Sequence, residues 1–293
     1  MLDVYQTLFS LSEQPFRLSP DSRFSFRHRS YENARAYLKY AITEGEGLVV
    51  VTGAPGTGKT TLIASLLDEL EPRYVNVASL ESVQIKTGYL LEAVCEGFGL
   101  SLGVGATTLW SRFKQYLAEA VRQGKRNVLI VDEAQGLGAQ SLEDLRLLSN
   151  MQVNNRLLLQ IFLVGQEPLL DMVRSPGMEQ LHQRLIAAAH LEPLTREETS
   201  DYVMHRLKVS GWRGDPEILP EAMMLVHKFS QGVPRKINLI CHRLLLYAGL
   251  HKKHRLEGAD ALHVVVELHR EGLLPPVTRR VNGEAQGDGH RKR

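Results

Sequence analysis

The sequence predicts an α/β fold in which a parallel β-sheet is flanked by helices and is followed by a small all-helical domain. Short runs rich in valine, leucine and isoleucine, such as those at 48–53 and 127–132, are typical of strands buried on both faces. These runs alternate with segments in which apolar residues recur every three or four positions, and such alternation indicates a parallel sheet covered by helices. Beyond about Pro193 only helical patterns continue, so the α/β domain is predicted to end there.

The predicted elements follow one another along the whole chain. Prolines, aromatic residues and arginines to about Ser30 predict an extended lead-in, and a helix is predicted over 30–43. Strands are predicted at 48–53, 74–79, 127–132, 157–165 and 187–194. Helices between the strands are predicted at 60–70, 82–98, 107–122 and 140–150. One helix is predicted to begin at the capping pattern Thr195-x-x-Glu198. Three more helices are predicted over 217–230, 234–249 and 259–270.

Composition argues against several classes of protein. Lys and Arg total 35 against 33 Asp and Glu, a formal net charge of +2, which favours neither a general nucleic-acid binder nor an enzyme for acidic substrates. Cys95 and Cys241 lie far apart in apolar helical segments and are expected to be buried thiols in a reducing cytosol. The N-terminus lacks a signal-peptide pattern and no apolar run is long enough to cross a bilayer, so we expect a soluble protein without a transmembrane segment.

A phosphate-binding loop is predicted between the first strand and the helix after it. The sequence GAPGTGKT matches G-x-x-x-x-G-K-[ST] in the strand–loop–helix context that the chemistry requires. Its backbone N–H groups and the helix N-terminus attract phosphate, its lysine reaches the β- and γ-phosphates, and the hydroxyl after the lysine coordinates Mg²⁺. The cofactors predicted are therefore ATP and Mg²⁺. The nucleotide-binding candidates are Gly53, Ala54, Pro55, Gly56, Thr57, Gly58, Lys59, Thr60 and Thr61.

A pair of acids at the end of a second strand is predicted to complete the site. VLIVDEAQ places Asp132 and Glu133 at the carboxyl end of a buried run. A carboxylate in that position, together with Thr60, can hold Mg²⁺, so Thr60 and Asp132 are the metal candidates. Glu133 can orient or deprotonate the attacking water and is the candidate catalytic base.

Three further residues are candidates for the same reaction. Gln166 follows the strand at 157–165 and is predicted to contact the γ-phosphate or the attacking water. Arg184 precedes the last strand and is predicted to reach the γ-phosphate of a neighbouring subunit, with Arg174 as the second candidate for this role. Arg235 begins a helix directly after Gly-Val-Pro, where the helix dipole disfavours a cation, so we predict that it faces the phosphates of ATP. An ordinary surface arginine remains the alternative for all three arginines.

Taken in order, these motifs resemble those of AAA+ ATPases, and more closely those of the ExeA/GspA/MshM family, which includes exosortase-associated ATPases. The resemblance rests on segments like YQTLFSLSEQPF, VTGAPGTGKTTL, VLIVDEAQ, LVGQ, LEPLTREET and GVPRKINLIC, and it spans roughly Val4 to Arg270. It implies a P-loop AAA+ sheet with a helical lid domain. The chain departs from the family pattern at Tyr31, where histidine is usual, at Ala41, where glycine is usual, and in QEPL, where QPEL is more familiar. Many members also carry a membrane helix and a peptidoglycan-binding domain, which we do not expect in this sequence.

The resemblance also implies a role for each candidate residue. These roles are phosphate and Mg²⁺ binding by Lys59 and Thr60, the Walker B pair by Asp132 and Glu133, sensor 1 by Gln166, the arginine finger by Arg184, and sensor 2 by Arg235. The domains expected are a lead-in and helix packed on the ATPase core (1–43), the AAA+ nucleotide-binding domain (44–193), the helical lid (194–271) and a basic disordered tail (272–293).

Two functions are compatible with these motifs. The first is an ATP hydrolase that drives envelope-associated assembly in secretion, pilus biogenesis or exopolysaccharide export, with an arginine finger acting between subunits. The second is a DNA-binding AAA+ regulator of transposition of the TniB/TnsC kind, suggested by basic residues at 251–255 and in the tail. The N-terminal signature favours the first, and the intact Glu133 argues against a scaffold that keeps its ATP bound.

The first function carries expectations about partners and location. A finger that acts in trans requires a homo-oligomer, for which a ring such as a hexamer is expected. An envelope or export-machinery protein is the expected partner, and DNA is the less favoured one. The expected location is the cytoplasm, with peripheral attachment at the inner membrane as the alternative.

Overall fold

Five parallel strands form the central sheet of the computed structural model, which describes residues 4–19, 21–45, 47–69, 72–82, 88–101 and 108–275. The sheet strands are β1 (Leu48–Gly53), β2 (Val75–Glu81), β3 (Arg126–Asp132), β6 (Gln160–Gly165) and β7 (Leu185–Leu191). Their order across the sheet is β2-β3-β6-β1-β7. Because all neighbours run parallel, the carboxyl ends of β1, β3 and β6 meet at one edge, where the candidate loops emerge.

Helices cover both faces of this sheet, which confirms the predicted fold class. They are α2 (Arg29–Glu44), α3 (Lys59–Asp68), α4 (Leu90–Gly97), α5 (Leu109–Arg122), α6 (Ala139–Ser149), α7 (Pro168–Arg174) and α8 (Glu179–His182). Each face of the sheet packs against helices to form a hydrophobic core, and β1 contributes side chains to both cores because successive residues of a strand point to opposite faces. Leu48 and Val50 join the core under α4–α7, while Val49 and Val51 join the core under α2 and α3.

A second group of helices follows the sheet. It comprises α9 (Arg196–Val209), α10 (Pro220–Ser230), α11 (Pro234–His251) and α12 (Gly258–Arg270), with a short parallel pair formed by β8 (Glu217–Ile218) and β9 (Arg255–Leu256). The capping box predicted at the start of α9 is present, because the Thr195 hydroxyl accepts from the Glu198 N–H and the Glu198 carboxylate accepts from the Thr195 N–H. No helix in the described part of the chain is both long and apolar enough to cross a membrane.

The lead-in differs from its extended prediction. It contains α1 (Val4–Leu8) and a 3₁₀ turn (Ser22–Phe24). Tyr5, Phe9 and Phe16 are buried in the core of the C-terminal helices, and α1 packs against α11. The lead-in is therefore held by the C-terminal helices, whereas α2 packs against β7 of the sheet. The division of the chain into domains stays a prediction.

Two other element boundaries also differ. The helix predicted at 82–98 begins only at Leu90, after Gly88, whose φ of +82° is incompatible with a right-handed helix. The strand predicted at 157–165 begins at Gln160, because Arg156–Leu157 (β5) turns back on Gln152–Val153 (β4). Asn154 and Asn155 in that turn both have positive φ, as a two-residue hairpin requires. Of the tail predicted at 272–293, residues 272–275 are described, and Leu274 is buried in the core of the C-terminal helices. The rest of the predicted tail, 276–293, with its basic residues, lies outside the described residues.

Candidate nucleotide-binding site

The phosphate-binding loop lies between β1 and α3, as its motif predicts. Gly56 has a φ of +83°, and a Cβ atom on it would come within 2.6 Å of the Cβ atom of Arg235. Its carbonyl oxygen accepts a hydrogen bond from the Arg235 N–H at 3.2 Å. Glycine is therefore favoured here for two reasons: the backbone is left-handed, and a side chain would collide with the start of α11.

Lys59 is buried at the N-terminus of α3. Its Nζ donates to the carbonyl oxygens of Gly53 at 2.9 Å and Ala54 at 3.1 Å, and the Thr57 hydroxyl also donates to Ala54. Burial lowers the pKa of Lys59, and the negative charges of Glu133 and Asp132 oppose this shift only in part. The ammonium group is thus held by neutral acceptors in a place where an anion would be a better partner.

The predicted metal-binding pair is already in contact. The Thr60 hydroxyl donates to Asp132 Oδ2 at 2.6 Å, although the two residues are 72 positions apart, and Asp132 Oδ1 accepts from the Glu133 N–H at 2.8 Å. A hydroxyl and one carboxylate are hard oxygen ligands of the kind that Mg²⁺ uses together with substrate phosphates. The described residues contain no group of three or more histidine, cysteine, aspartate or glutamate side chains that could hold a metal ion.

Glu133 and Gln166 also come together, and two residues that the sequence reasoning missed lie with them. Gln166 Nε2 lies 3.5 Å from Glu133 Oε2, and Gln135 Nε2 donates to the same oxygen at 2.5 Å. The Ser82 hydroxyl donates to the Glu133 carbonyl at 2.6 Å. Gln135 was visible in VLIVDEAQ, but a polar residue after a strand is too common to indicate such a contact.

Arg235 faces the same cavity from the C-terminal helices. Its side chain is exposed and it forms no ion pair with any described residue. The cavity has a volume of about 410 Å³ and lies between the phosphate-binding loop, the acids at the end of β3, the lead-in and helices α9 and α11. Positive charge thus reaches the cavity from both the sheet side and the helical side.

The lead-in and the start of α2 supply a wall that the sequence did not predict as a binding surface. Phe26, His28 and Tyr31 line the cavity, with the rings of Phe26 and His28 nearly parallel and 6.4 Å apart. His28 is buried and its Nδ1 has no hydrogen-bond partner in the described structure. Burial lowers the pKa of His28, so its ring is neutral near pH 7.

A buried network joins this wall to the helices. Arg206 donates to the Pro15 carbonyl at 2.5 Å and to the Tyr202 hydroxyl at 2.8 Å, and its guanidinium lies over the Phe24 ring at 4.7 Å. The Tyr202 hydroxyl in turn donates to Asn238 Oδ1 at 2.8 Å. These contacts fix the lead-in against α9 and α11 beside the cavity.

The predicted arginine finger lies away from this cavity. Arg184 directly precedes β7, and its carbonyl accepts from the Leu48 N–H at the amino end of β1. Since a strand rises about 3.3 Å per residue, that end is roughly 17 Å from Gly53. Arg174 ends α7 and is exposed. Neither arginine lines the site of its own chain.

Comparisons with known proteins place these features in context. Residues 42–173 match the AAA domain family. The sequence is 38% identical over 259 residues, 88% of the chain, to general secretion pathway protein A of Aeromonas hydrophila, and the chain spans about half (47%) of that relative. The fold is shared with ORC2 of Aeropyrum pernix in ADPNP and ADP complexes (16% identity, TM-score 0.65, 90% of this chain and 75% of that one). It is also shared with Drosophila ORC bound to DNA (17% identity, TM-score 0.67, 91% of this chain and 66% of that one).

Proposed function

The chain belongs to the ExeA/GspA family of AAA+ ATPases, and on this basis we propose that it binds ATP with Mg²⁺ in the cavity described above and hydrolyses ATP to ADP and phosphate. The observation that carries the proposal is the contact between Thr60 and Asp132. It brings the end of the phosphate-binding loop to the end of β3, next to the carboxylate of Glu133. A phosphate chain on the loop would meet both groups at once.

The phosphate-binding loop holds the negative end of the nucleotide. Lys59 exchanges its neutral acceptors on Gly53 and Ala54 for phosphate oxygens, and a charge-assisted hydrogen bond is stronger than a neutral one. The N-terminus of α3 adds its unpaired N–H groups and positive dipole end. Thr60 and Asp132 hold Mg²⁺, which neutralises the phosphate charge when bound.

Glu133 is the group that orients and deprotonates the attacking water. Its Oε2 takes the hydrogen bonds from the glutamine side chains beside it, which leaves Oε1 available to a water molecule. The Gln166 side chain lies beside the same carboxylate, which supports a role for Gln166 at the γ-phosphate or the attacking water. Glu133 and Gln166 thus act together on the reacting end of the nucleotide.

Arg235 neutralises charge on the phosphates from the helical side. Its position at the start of α11, unfavourable for a cation in the absence of an anion, is accounted for by the nucleotide. The purine base lies against the lead-in and the start of α2, where Phe26 and Tyr31 offer aromatic surface and neutral His28 offers a hydrogen bond through Nδ1.

Arg184 completes the site of a neighbouring subunit in a homo-oligomeric ring. The position of Arg184 at the opposite end of the sheet supports a role between subunits, because it lies too far from its own cavity. The work of hydrolysis serves envelope-associated assembly, such as secretion, through an export-machinery partner. This last step rests on similarity to general secretion pathway protein A, of which the chain spans about half.

A mixing experiment tests the proposal. ATP hydrolysis is measured for Arg184→Ala, for Glu133→Gln and for an equal mixture of both, across protein concentration. Each variant alone is expected to bind ATP and to lose about 100-fold or more in turnover. In the mixture, a Glu133→Gln subunit lends its intact Arg184 to the intact Glu133 of its neighbour, so part of the turnover returns.

Three outcomes would count against the proposal. A parental rate for Glu133→Gln would remove Glu133 as the general base. A parental rate for Arg184→Ala would remove the finger, and Arg174→Ala is the matched variant to examine next. Strong stimulation by long duplex DNA at low salt would favour the regulator of transposition instead.

A further inference from the structure

Gln135 connects two loops of the site through one side-chain amide. It lies in the 3₁₀ turn Ala134–Gly136 that follows β3. Its Nε2 donates to Glu133 Oε2 at 2.5 Å, and its Oε1 accepts from the backbone N–H of Gln166 at 3.0 Å. A backbone N–H can only donate, so the oxygen of the amide must face Gln166 and the NH₂ group must face the carboxylate.

The bridge needs free space at the end of β6. A Cβ atom on Gly165 would lie 2.3 Å from Gln135 Oε1 and 2.9 Å from a side-chain carbon of Leu169. The φ angle of Gly165 is not in the left-handed region, so its backbone conformation would accept other residues. The absence of a side chain at Gly165 is what lets the Gln135 amide reach the next loop.

The backbone of Glu133 is fixed independently of this bridge. Glu133 has φ +51° and ψ +35°, and its carbonyl oxygen accepts from the Ser82 hydroxyl. With the backbone held, the direction of the carboxylate depends on what its oxygens contact. Both described donors, Gln135 and the longer contact from Gln166, reach Oε2, which directs Oε1 away from them.

We propose that Gln135 is a positioning residue that orients the Glu133 carboxylate for attack and couples its direction to the loop that carries Gln166. The proposal rests on the hydrolysis proposed above and names a residue that acts through Glu133. A displacement of the Gln166 loop moves the Gln135 amide through its Oε1, and the amide moves the carboxylate through Nε2. The base is therefore aligned only when both loops are in place.

Kinetics of Gln135→Ala test the proposal. We expect the kcat for ATP hydrolysis to fall about 10- to 100-fold, while the dissociation constant for ATP and the melting temperature stay near the parental values. Gln135→Glu keeps the shape but places an acceptor against the carboxylate, so it should fail as badly as alanine. Gln140→Ala, an exposed glutamine on α6, is the control and should keep the parental rate.

A double variant separates positioning from mere support of the fold. In a Glu133→Gln background, Gln135→Ala should cause no further loss, because its effect passes through Glu133. Additive losses, a parental kcat for Gln135→Ala, or full activity of Gln135→Glu would overturn the inference. The single variant Glu133→Gln reports on the proposed hydrolysis by itself: if that variant hydrolyses ATP normally, the proposed function fails, whatever Gln135 does.

Discussion

The two ends of the cavity are built in different ways. At the phosphate end, the contacts come from the carboxyl ends of strands in one sheet and from the helix after β1, as when Lys59 bonds to Gly53 and Thr60 to Asp132. At the opposite end, the lead-in meets helices that lie far along the chain, as when Arg206 bonds to the carbonyl of Pro15. The phosphate end is thus part of the sheet, whereas the other end exists only when two distant segments are packed together.

The charges differ in the same way. Lys59 is 6% exposed and carries a pKa lowered by burial, so the nucleotide-free protein holds a cation at an energetic cost. Arg235 is exposed and unpaired among the described residues, so its charge is solvated and costs little. This difference indicates that the phosphate end is organised before the ligand binds, and we expect the exposed guanidinium of Arg235 to be oriented only by the ligand.

Arg206→Ala should break the helical end with the largest effect on stability. The variant leaves the Pro15 carbonyl and the Tyr202 hydroxyl without a donor and removes a cation over Phe24. We expect the free energy of unfolding to fall by about 4 kcal/mol, from two charge-assisted hydrogen bonds and one cation–π contact. Urea denaturation measures this loss.

Its control is Arg196→Ala, an exposed arginine on the same helix, which should change the free energy of unfolding by less than about 0.5 kcal/mol. If the two variants proved equally stable, the network around Arg206 would not be what holds the lead-in. Digestion of the lead-in by a protease should accelerate only in the Arg206 variant.

Lys59→Met should weaken ATP binding and at the same time stabilise the nucleotide-free protein. ATP affinity is expected to fall about 100-fold, because a charge-assisted hydrogen bond to phosphate is lost. The nucleotide-free variant should nevertheless be more stable than the parent by about 1 kcal/mol, since a poorly solvated charge is gone. Thermal unfolding with and without ATP measures both effects.

The burial of Lys59 also predicts how the free energy of unfolding changes with pH. Because the pKa of Lys59 is lower in the folded than in the unfolded chain, the unfolded chain binds the proton more tightly between the two values. The stability of the parent protein should therefore gain a contribution as the pH rises toward the ordinary lysine pKa. Lys59→Met should lack that gain, and an identical pH profile for the two proteins would contradict the effect of burial on Lys59.

The phosphate end of the cavity could be predicted from the sequence, whereas the opposite end could not, and the difference has a physical cause. The glycine-rich loop and the acids at the end of β3 are contiguous motifs whose chemistry demands fixed spacing, so their positions could be predicted. The contact of the lead-in with α11 joins residues at opposite ends of the chain, and nothing in the local pattern of Tyr5 or Phe16 names a distant partner. Gln135 was missed for a similar reason, since its role depends on the empty space at Gly165.

Tyr202→Phe should weaken the connection between the wall and the helix that carries Arg235, with a smaller loss of stability than Arg206→Ala. The Tyr202 hydroxyl accepts from Arg206 and donates to Asn238, which lies about one helical turn beyond Arg235 on α11. Loss of the hydroxyl leaves two buried groups without one partner each, so we expect a loss of about 1–2 kcal/mol in the free energy of unfolding.

The same variant sharpens the comparison between the two ends. If the helical end responds to the ligand through this connection, the kcat for ATP hydrolysis should fall a few-fold while Lys59-dependent ATP binding stays intact. Tyr37→Phe, at an exposed position on α2, is the matched control and should change neither quantity. A stability loss for Tyr202→Phe without any change in kcat would mean that this hydroxyl supports packing alone and that Arg235 is positioned by α11 itself.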